Sequence, residues 1–489
     1  MGIIRRTSTR FIVRMRKLSY LLTLLIFNSC SVNPVTGQQD FVMMSENQEI
    51  SLGKKYHAQV LQQTPTYNDQ ELQNYVQRIG DSLSLKSHRT NLFYRFTVLD
   101  SPNINAFALP GGYIYINRGL MAYLSSEEEL AAVLGHEIGH VTARHSVRQY
   151  SQSQLLSIFS AAIQINSGRT AGDIFGVASG ALLAGYGREM ELEADELGAE
   201  YLYRDGYSTE GMMKVLSVLK DQEIYSKELA KQRGQEPINY HGIFASHPSN
   251  DKRLKEILEE VNIKNKKGAT KTKADYLEKI NGMVYGDSEK SGVRKGNEFF
   301  HKDLDLYLTS PNNWEIINTP KNIIFRAPFS KAMLNVSLED LNFRENPKEY
   351  MQRVASGFLK GEDLIINGYK GYTCLVRQRN GEMRRLAVLF RETKVYQFVG
   401  YLDEEEKDFQ KFDPLFMQII NSLDRLDQRG REMSKPLRVI KYIVKKGDTY
   451  KKLARGSSIS YNAEDQLRLL NGDFPNRELV VGKVIKLVR

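Results

Sequence analysis

Hydrophobic spacing changes character along the 489 residues, and the changes divide the chain. From Ser126 to about Tyr150 the pattern is helical, with Leu130, Val133, Leu134 and Ile138 on one stripe that would bury a helix face. Ser126 stands three residues before Glu129, the spacing of a capping box, so it predicts the start of that helix. From about Asn297 to Leu426 the texture shifts to short strand-like segments such as Ile323–Arg326, Met333–Ser337 and Val395–Tyr401. Pro311 to Trp314 reads as a turn before one of them, and a closing helix is expected from Glu404 to Leu426. This region reads as an α+β domain with an antiparallel sheet. The last segment, Val439 to Arg489, differs again, and no internal repeat appears.

The first helix carries His136-Glu137-Ile138-Gly139-His140. Residues four apart share a helix face, so the two imidazoles can bind one zinc ion, with Glu137 beside them as a possible general base. A catalytic zinc usually has three protein ligands and one open position, so a third ligand must come from elsewhere. Glu191 and Asp195, four apart in Gly187-Arg188-Glu189-Met190-Glu191-Leu192-Glu193-Ala194-Asp195, are candidates. Glu191 could ligate the metal while Asp195 accepts the second ring N–H of a ligand histidine. A solvated acidic helix face is the plain alternative. His145, five residues past His140, is expected to point away from the ligand face. His57, His88 and His301 offer no constellation.

These segments resemble metallopeptidase family 48, the group of the HtpX heat-shock proteases and CAAX prenyl endopeptidases. The likeness rests on Asn105-Ala106-Phe107-Ala108-Leu109-Pro110-Gly111-Gly112, on His136 to His140, on Glu191-x-x-Ala194-Asp195, and on His247-Pro248-x-x-x-x-Arg253. It covers roughly residues 35 to 262. It implies a mainly helical zincin-type domain in which Glu191, rather than Glu189 or Glu193, is the third ligand of one zinc ion. It also implies that Asn105, Ala106, Phe107 and Ala108 lie on a substrate-binding edge strand. Such a strand would hold an extended peptide by main-chain hydrogen bonds, which suits unfolded proteins as substrates. Relatives often carry Ser-Arg where this chain has Gly187-Arg188. His247, Arg188 and His241 are the candidate oxyanion donors. His247 could instead fill the open zinc position and hold the site latent.

The N-terminus adds an address. Arg5, Arg6, Arg10, Arg14, Arg16 and Lys17 precede the apolar run Leu18 to Phe27, a basic region and apolar core of signal-peptide length. Phe27-Asn28-Ser29-Cys30 resembles a loose lipobox, which makes Cys30 the expected lipidation site of a bacterial lipoprotein. Losing the six basic residues of 1–29 would lower the net charge from +10 to +4. Cys374 would then be the one unmodified cysteine, expected to be small and buried. Between the zinc motifs, Leu155 to Ile165 and Ala171 to Gly187 are apolar or rich in Gly and Ala, but too short and broken to span roughly 20 apolar residues. Buried helices are the plain reading, and a lid over the cleft or a surface dipping into lipid beside the anchor is the sharper one.

Tyr442-x-Val444-Lys445-Lys446-Gly447-Asp448-Thr449, then Leu467 to Gly472, then Leu479 to Leu487 resemble a LysM domain, a small βααβ module that binds N-acetylglucosamine glycans such as peptidoglycan. Tyr450 stands where such modules usually have Leu. Residues 438–489 carry 12 basic and 5 acidic residues, suited to an anionic wall polymer. Nucleic acid fits that charge equally but not export.

The expected layout is a signal peptide (1–29), a peptidase domain (30–262), a linker with a short helix (263–290), an α+β domain (291–430) and a LysM-like module (438–489), an α+β chain throughout. The expected function is a zinc endopeptidase, lipid-anchored in the cell envelope and facing the periplasm. Its substrates would be misfolded or misassembled envelope proteins. The alternative is a non-proteolytic, chaperone-like or peptidoglycan-tethered binding factor using the same cleft.

Overall fold

The computed structural model describes residues 30–42, 44–153, 186–232, 275–319, 321–341, 344–355, 357–402 and 408–489. The expected signal peptide, the apolar and Gly- and Ala-rich stretch from 155 to 185, His241, the 247–253 motif and the lysine-rich stretch 262–273 lie outside the described residues.

A short antiparallel pair, β1 (Cys30–Val32) and β2 (Gln39–Phe41), precedes helices α1 (Glu46–Gln63) and α2 (Gln70–Ser84). Three strands follow, β3 (Arg95–Leu99), β4 (Ala106–Leu109) and β5 (Tyr113–Asn117), in the order β3-β5-β4. β5 pairs parallel with β3 and antiparallel with β4, which leaves β4 on an edge. The short α3 (Arg118–Tyr123) leads into α4 (Glu127–Thr142), which sits in the middle of the core. After α5 (residues 145–153) come α6 (Arg188–Asp205) and α7 (Glu210–Gln232).

α4 begins where the capping signal places it, with the Ser126 side chain accepting from the Glu129 N–H. The return bond differs from a strict capping box, because the Glu129 carboxylate reaches Ser125 N at 2.7 Å. The helix stops at Thr142 rather than continuing to Tyr150. Arg144 adopts a left-handed φ of 55°, so α5 restarts on a new axis. The break is fixed by long-range contacts that no local spacing encodes. Arg144 Nε donates to Glu49 Oε2 at 3.0 Å and Nη2 to Met44 O at 3.1 Å. Arg89 Nη1 donates to Val141 O at 3.1 Å, covering a carbonyl at the helix end.

α4 and α6 approach almost backbone to backbone. A Cβ on Gly139 would lie 2.8 Å from Ala194 O, and one on Gly198 would lie 2.9 Å from His136 N. Only glycine permits that spacing.

The short helix expected within 263–290 is present. α8 (Tyr276–Lys279) and β6 (Val284–Tyr285) pack into the core around α4, with Tyr276, Ile280 and Met283 buried and Tyr276 Oη donating to Met121 O at 2.6 Å. β6 also pairs with β17 (Leu437–Ile443), the first strand of the C-terminal segment. That segment continues through α12 (Tyr450–Arg455), α13 (Ala463–Leu470) and β18 (Val484–Val488), the βααβ order read from its sequence. It shares one hydrophobic core with α2, α4, α6 and α7 through Val439, Val444, Tyr450, Leu467, Ile485 and Leu487. Its Lys486 is buried, and Nζ donates to Ala122 O at 2.9 Å, Leu124 O at 2.6 Å and Ser125 Oγ at 3.3 Å, just ahead of α4.

The intervening domain has its own core. β7 (Val293–Lys295), β8 (Glu298–His301) and β9 (Leu306–Thr309) form a small antiparallel sheet. A second antiparallel sheet has seven strands: β10 (Glu315–Asn318), β11 (Asn322–Arg326), β12 (Ala332–Asp340), β13 (Phe358–Ile366), β14 (Tyr369–Arg377), β15 (Met383–Arg391) and β16 (Lys394–Leu402). Its order is β10-β11-β12-β16-β15-β14-β13. The helix α9 (Pro347–Val354) packs on β14 and β15. α10 (Phe409–Asn421) lays Phe412, Phe416, Ile419 and Ile420 on the sheet, where Trp314 meets Phe416 edge-on. α10 is shorter than the expected Glu404–Leu426, because Asp424 leaves the helix to bridge Tyr307. α11 (Gln428–Met433) then leads back to β17. Cys374 is fully buried in β14, as expected.

Two outcomes follow from this packing. Gly198→Ala should lower the unfolding free energy by about 1–3 kcal/mol in urea titration. Gly187→Ala, whose added Cβ would meet nothing within 4 Å, should change it by no more than about 0.5 kcal/mol. Lys486 supplies the second. Burial pushes its ammonium down to about 7, with Glu129 opposing. The unfolded chain therefore binds the extra proton between about 7 and the ordinary lysine value of 10.5, so this group's contribution to stability rises with pH across that window. Thermal unfolding should show a wild-type gain between pH 7 and 9, on the order of 2 kcal/mol, that Lys486→Met lacks.

Candidate metal centre

Three side chains from α4 and α6 converge. One ligand atom each from His136, His140 and Glu191 lie within 4.8 Å of one another. His136 Nε2 and His140 Nε2 are 3.0 Å apart, and the Glu191 carboxylate stands 3.6 Å from the first and 3.5 Å from the second. The fourfold spacing on α4 puts both rings on one face, and the glycine contacts bring α6 close enough for Glu191 to reach them. Glu191 and His140 are buried, and the His136 side chain is 12% exposed, so the group opens to solvent on the His136 side. Two imidazole nitrogens and a carboxylate, gathered in so small a volume, fit one zinc ion. Glu137 is fully buried beside them on the same helix.

The other ring nitrogens are engaged. His136 Nδ1 lies 2.8 Å from Asp195 Oδ1, one turn beyond Glu191 on α6. That places Asp195 where the sequence predicted a carboxylate behind a ligand histidine. His140 Nδ1 lies 2.8 Å from Nδ1 of His145, whose Nε2 lies 3.0 Å from Glu193 Oε2. Arg148 Nη1 donates to the same oxygen at 2.9 Å. Tyr186 stacks on the His140 ring, centroids 4.0 Å apart, and its hydroxyl lies 2.7 Å from Ser146 Oγ. Burial pushes His145 below the usual imidazole range against the pull of Glu193. Glu193 is itself partly buried, yet hydrogen bonds from His145 and Arg148 hold it below the usual carboxylate range.

The expectation that His145 points away from the site is therefore corrected. On an unbroken helix it would, but the left-handed Arg144 turns the chain and faces His145 back to His140. Of the three glutamates near the start of α6, Glu189 is exposed, Glu193 turns to His145 and Arg148, and Glu191 faces the two histidines. Arg188 opens α6 and is exposed. His247 and His241, the other oxyanion candidates, lie outside the described residues.

Beside the metal helix lies the edge strand. β4 runs Ala106–Leu109 directly after Asn105, with Ala106 and Ala108 buried and Phe107 half-buried. Phe107 stacks on Tyr115, centroids 4.7 Å apart, and Tyr115 Oη lies 2.6 Å from His57 Nδ1, so His57 belongs to the aromatic support behind the strand. The turn after β4 is held by Glu49. Its Oε1 accepts from Gly111 N at 3.4 Å and from Arg89 Nη1 at 2.8 Å, and its Oε2 accepts from Arg144. Gly111 and Gly112 both have φ in the left-handed region. Sequence reasoning missed Glu49, Glu193 and Tyr186, whose positions carry no local signature.

Comparison with known proteins agrees with this geometry. The model of Peptidase family M48 matches residues 67–261. The beta-barrel assembly-enhancing protease of Yersinia pestis is 29% identical over 273 residues, 53% of this chain and 53% of that protein. Its counterpart from Escherichia coli K12 is 30% identical over 211 residues, 41% of this chain and 43% of that protein. The mitochondrial metalloendopeptidase OMA1 of Schizosaccharomyces pombe is 28% identical over 238 residues, 46% of this chain and 65% of that protein. The chain spans about half the length of the first two relatives. Across residues 67–261 the chain is similar to peptidase family M48.

Proposed function

We propose that this chain is a zinc-dependent metalloendopeptidase of the bacterial cell envelope. The observation that carries the reading is the convergence of His136, His140 and Glu191 within 4.8 Å, with Glu137 buried on the same helix and β4 alongside as an edge strand among the described residues. His136 Nε2, His140 Nε2 and the Glu191 carboxylate would hold the ion. Once bound, zinc would lower the pKa of a water to about 7 and polarise the scissile carbonyl. Glu137 takes the proton from the attacking water and returns it to the leaving amine. Residues 105–108 align an extended peptide by main-chain hydrogen bonds along β4, an edge strand among the described residues. Binding of that kind reads backbone more than side chains, which favours unfolded or misassembled proteins. The names of the bacterial relatives tie them to β-barrel assembly, which supports misassembled envelope proteins as the substrate class.

Anchoring and tethering belong to the same reading. Cys30 would carry the lipid that holds the protein to a membrane with its peptidase domain in the periplasm, and no helix among the described residues is long and apolar enough to cross a bilayer. The basic C-terminal segment would contact peptidoglycan. The face formed by Tyr442, Lys445, Lys452 and Arg489, which lines a cavity of about 320 Å³, supports that assignment.

Zinc content and casein cleavage of the chain lacking residues 1–29 test the reading. Wild type and Glu137→Gln should each hold one zinc, with cleavage in the variant reduced by about 100- to 10,000-fold. Glu191→Ala should lose the metal in the same assay, while Glu189→Ala keeps it. Full zinc occupancy in Glu191→Ala would remove the ligand assignment.

A further inference from the structure

The pair of contacts behind the two histidines is asymmetric. His136 is backed by one carboxylate, Asp195, at 2.8 Å. His140 is backed by a second imidazole, and that imidazole by Glu193 and Arg148. The hydrogen-bond roles along this row are not free. A carboxylate only accepts, so His145 Nε2 must carry the proton that faces Glu193. A neutral His145 then has its lone pair on Nδ1, and His140 Nδ1 must donate to it. That leaves the lone pair of His140 on Nε2, the atom that faces His136 and Glu191. The reverse order would set a lone pair of His145 against the Glu193 carboxylate and turn an N–H of His140 into the metal position.

We infer that His145 and Glu193 are positioning residues for the metal, a two-step relay that fixes the tautomer and ring orientation of His140. The inference rests on the zinc reading of the same site and adds to it the residues that set its donor. The location of the relay supports this. His145 is buried with no exposed surface, while Glu193 is about a quarter exposed and also paired with Arg148, so the carboxylate end is anchored at the surface and the imidazole end is dry. Tyr186 holds the His140 ring on its face, so the ring cannot swing off the line. His145 reaches this place only because Arg144 leaves the helix, and Glu49 holds Arg144 there. Partners behind metal-bound histidines typically carry about 10- to 100-fold in metal affinity.

The test is zinc affinity, measured by competition with a chromophoric chelator, on wild type and four variants, with circular dichroism to establish folding. His145→Leu keeps bulk and removes the acceptor, and should bind zinc about 10- to 100-fold more weakly. His145→Asn can set its amide oxygen where Nδ1 was and accept from His140, so it should recover most of that loss. A residue needed only for packing would not be rescued in this way. Glu193→Met, altered at a partly exposed position, should weaken binding in the same direction by a smaller factor, which keeps the test open if His145→Leu fails to fold. Folded His145→Leu and Glu193→Met proteins that bind within twofold of wild type would overturn the relay, as would an Asn variant no better than Leu. Glu191→Ala is the reference for the site itself. If wild type binds no more zinc than Glu191→Ala, the metal site fails rather than the relay.

Discussion

The site depends on how closely two helix backbones can lie. Gly139 against Ala194, and Gly198 against His136, let α4 and α6 meet without side chains between them. A carboxylate is short, and Glu191 reaches both histidine rings because its helix is that near. The same contact sets Asp195 behind His136. One geometric constraint thus places the carboxylate of the three-residue cluster and the carboxylate behind one of its histidines. It also explains why these positions hold glycine and alanine at a cost in helix propensity of up to about 1 kcal/mol for each glycine.

A second constraint lies at the other end of α4. The helix must stop after His140 so that His145 can turn back, and the stop is enforced by buried charge. Glu49 on α1 accepts from Arg89 and Arg144, and Arg89 also covers the carbonyl of Val141. Removing one partner would strand buried charge, which costs far more than an exposed pair could return. The same carboxylate accepts from Gly111 in the turn after β4. The turn after β4 and the end of α4 are therefore referenced to one residue. A shift in one is transmitted to the other through bonds of about 3 Å, and misplacement of about 1 Å is enough to reduce a catalytic rate by about 100-fold.

Sequence carried the parts of this design that are local. His136, Glu137 and His140 share a turn of one helix, Glu191 and Asp195 share a turn of another, and both spacings were legible. The strands at 323–326, 333–337 and 395–401 were legible as short runs rich in apolar residues, and the structure extends them by only a few residues. What was not legible depends on distant partners. Helical spacing gave no warning that Arg144 would leave the helix, since the reason lies in Glu49, far away in sequence. His145 was misread for that single cause. A short helix was expected within 263–290 and α8 is present, but a few apolar residues between polar stretches do not reveal what they will pack against. Their partner is Met121 on one side and β17 on the other.

The docking of the C-terminal segment changes what a wall tether could do. A LysM-like module on a flexible arm would only raise the local concentration of enzyme near glycan. Here β17 pairs with β6, the module's apolar residues join the peptidase core, and Lys486 donates to the backbone of Ala122 and Leu124. Those carbonyls immediately precede Ser125 and Ser126, the residues that start α4. Glu129, in the first turn of α4, is the charge that faces Lys486. The module is therefore built onto the N-terminal end of the helix that carries His136 and His140. Burying a lysine at such a junction is expensive unless its acceptors stay in place, so the contact works as a register pin: the module is seated fully or the ammonium is left without its carbonyls. The core around α4 and the C-terminal segment are then one packed body, and under the proposed function the orientation of β4 relative to a bound glycan would be set by the fold rather than by a linker.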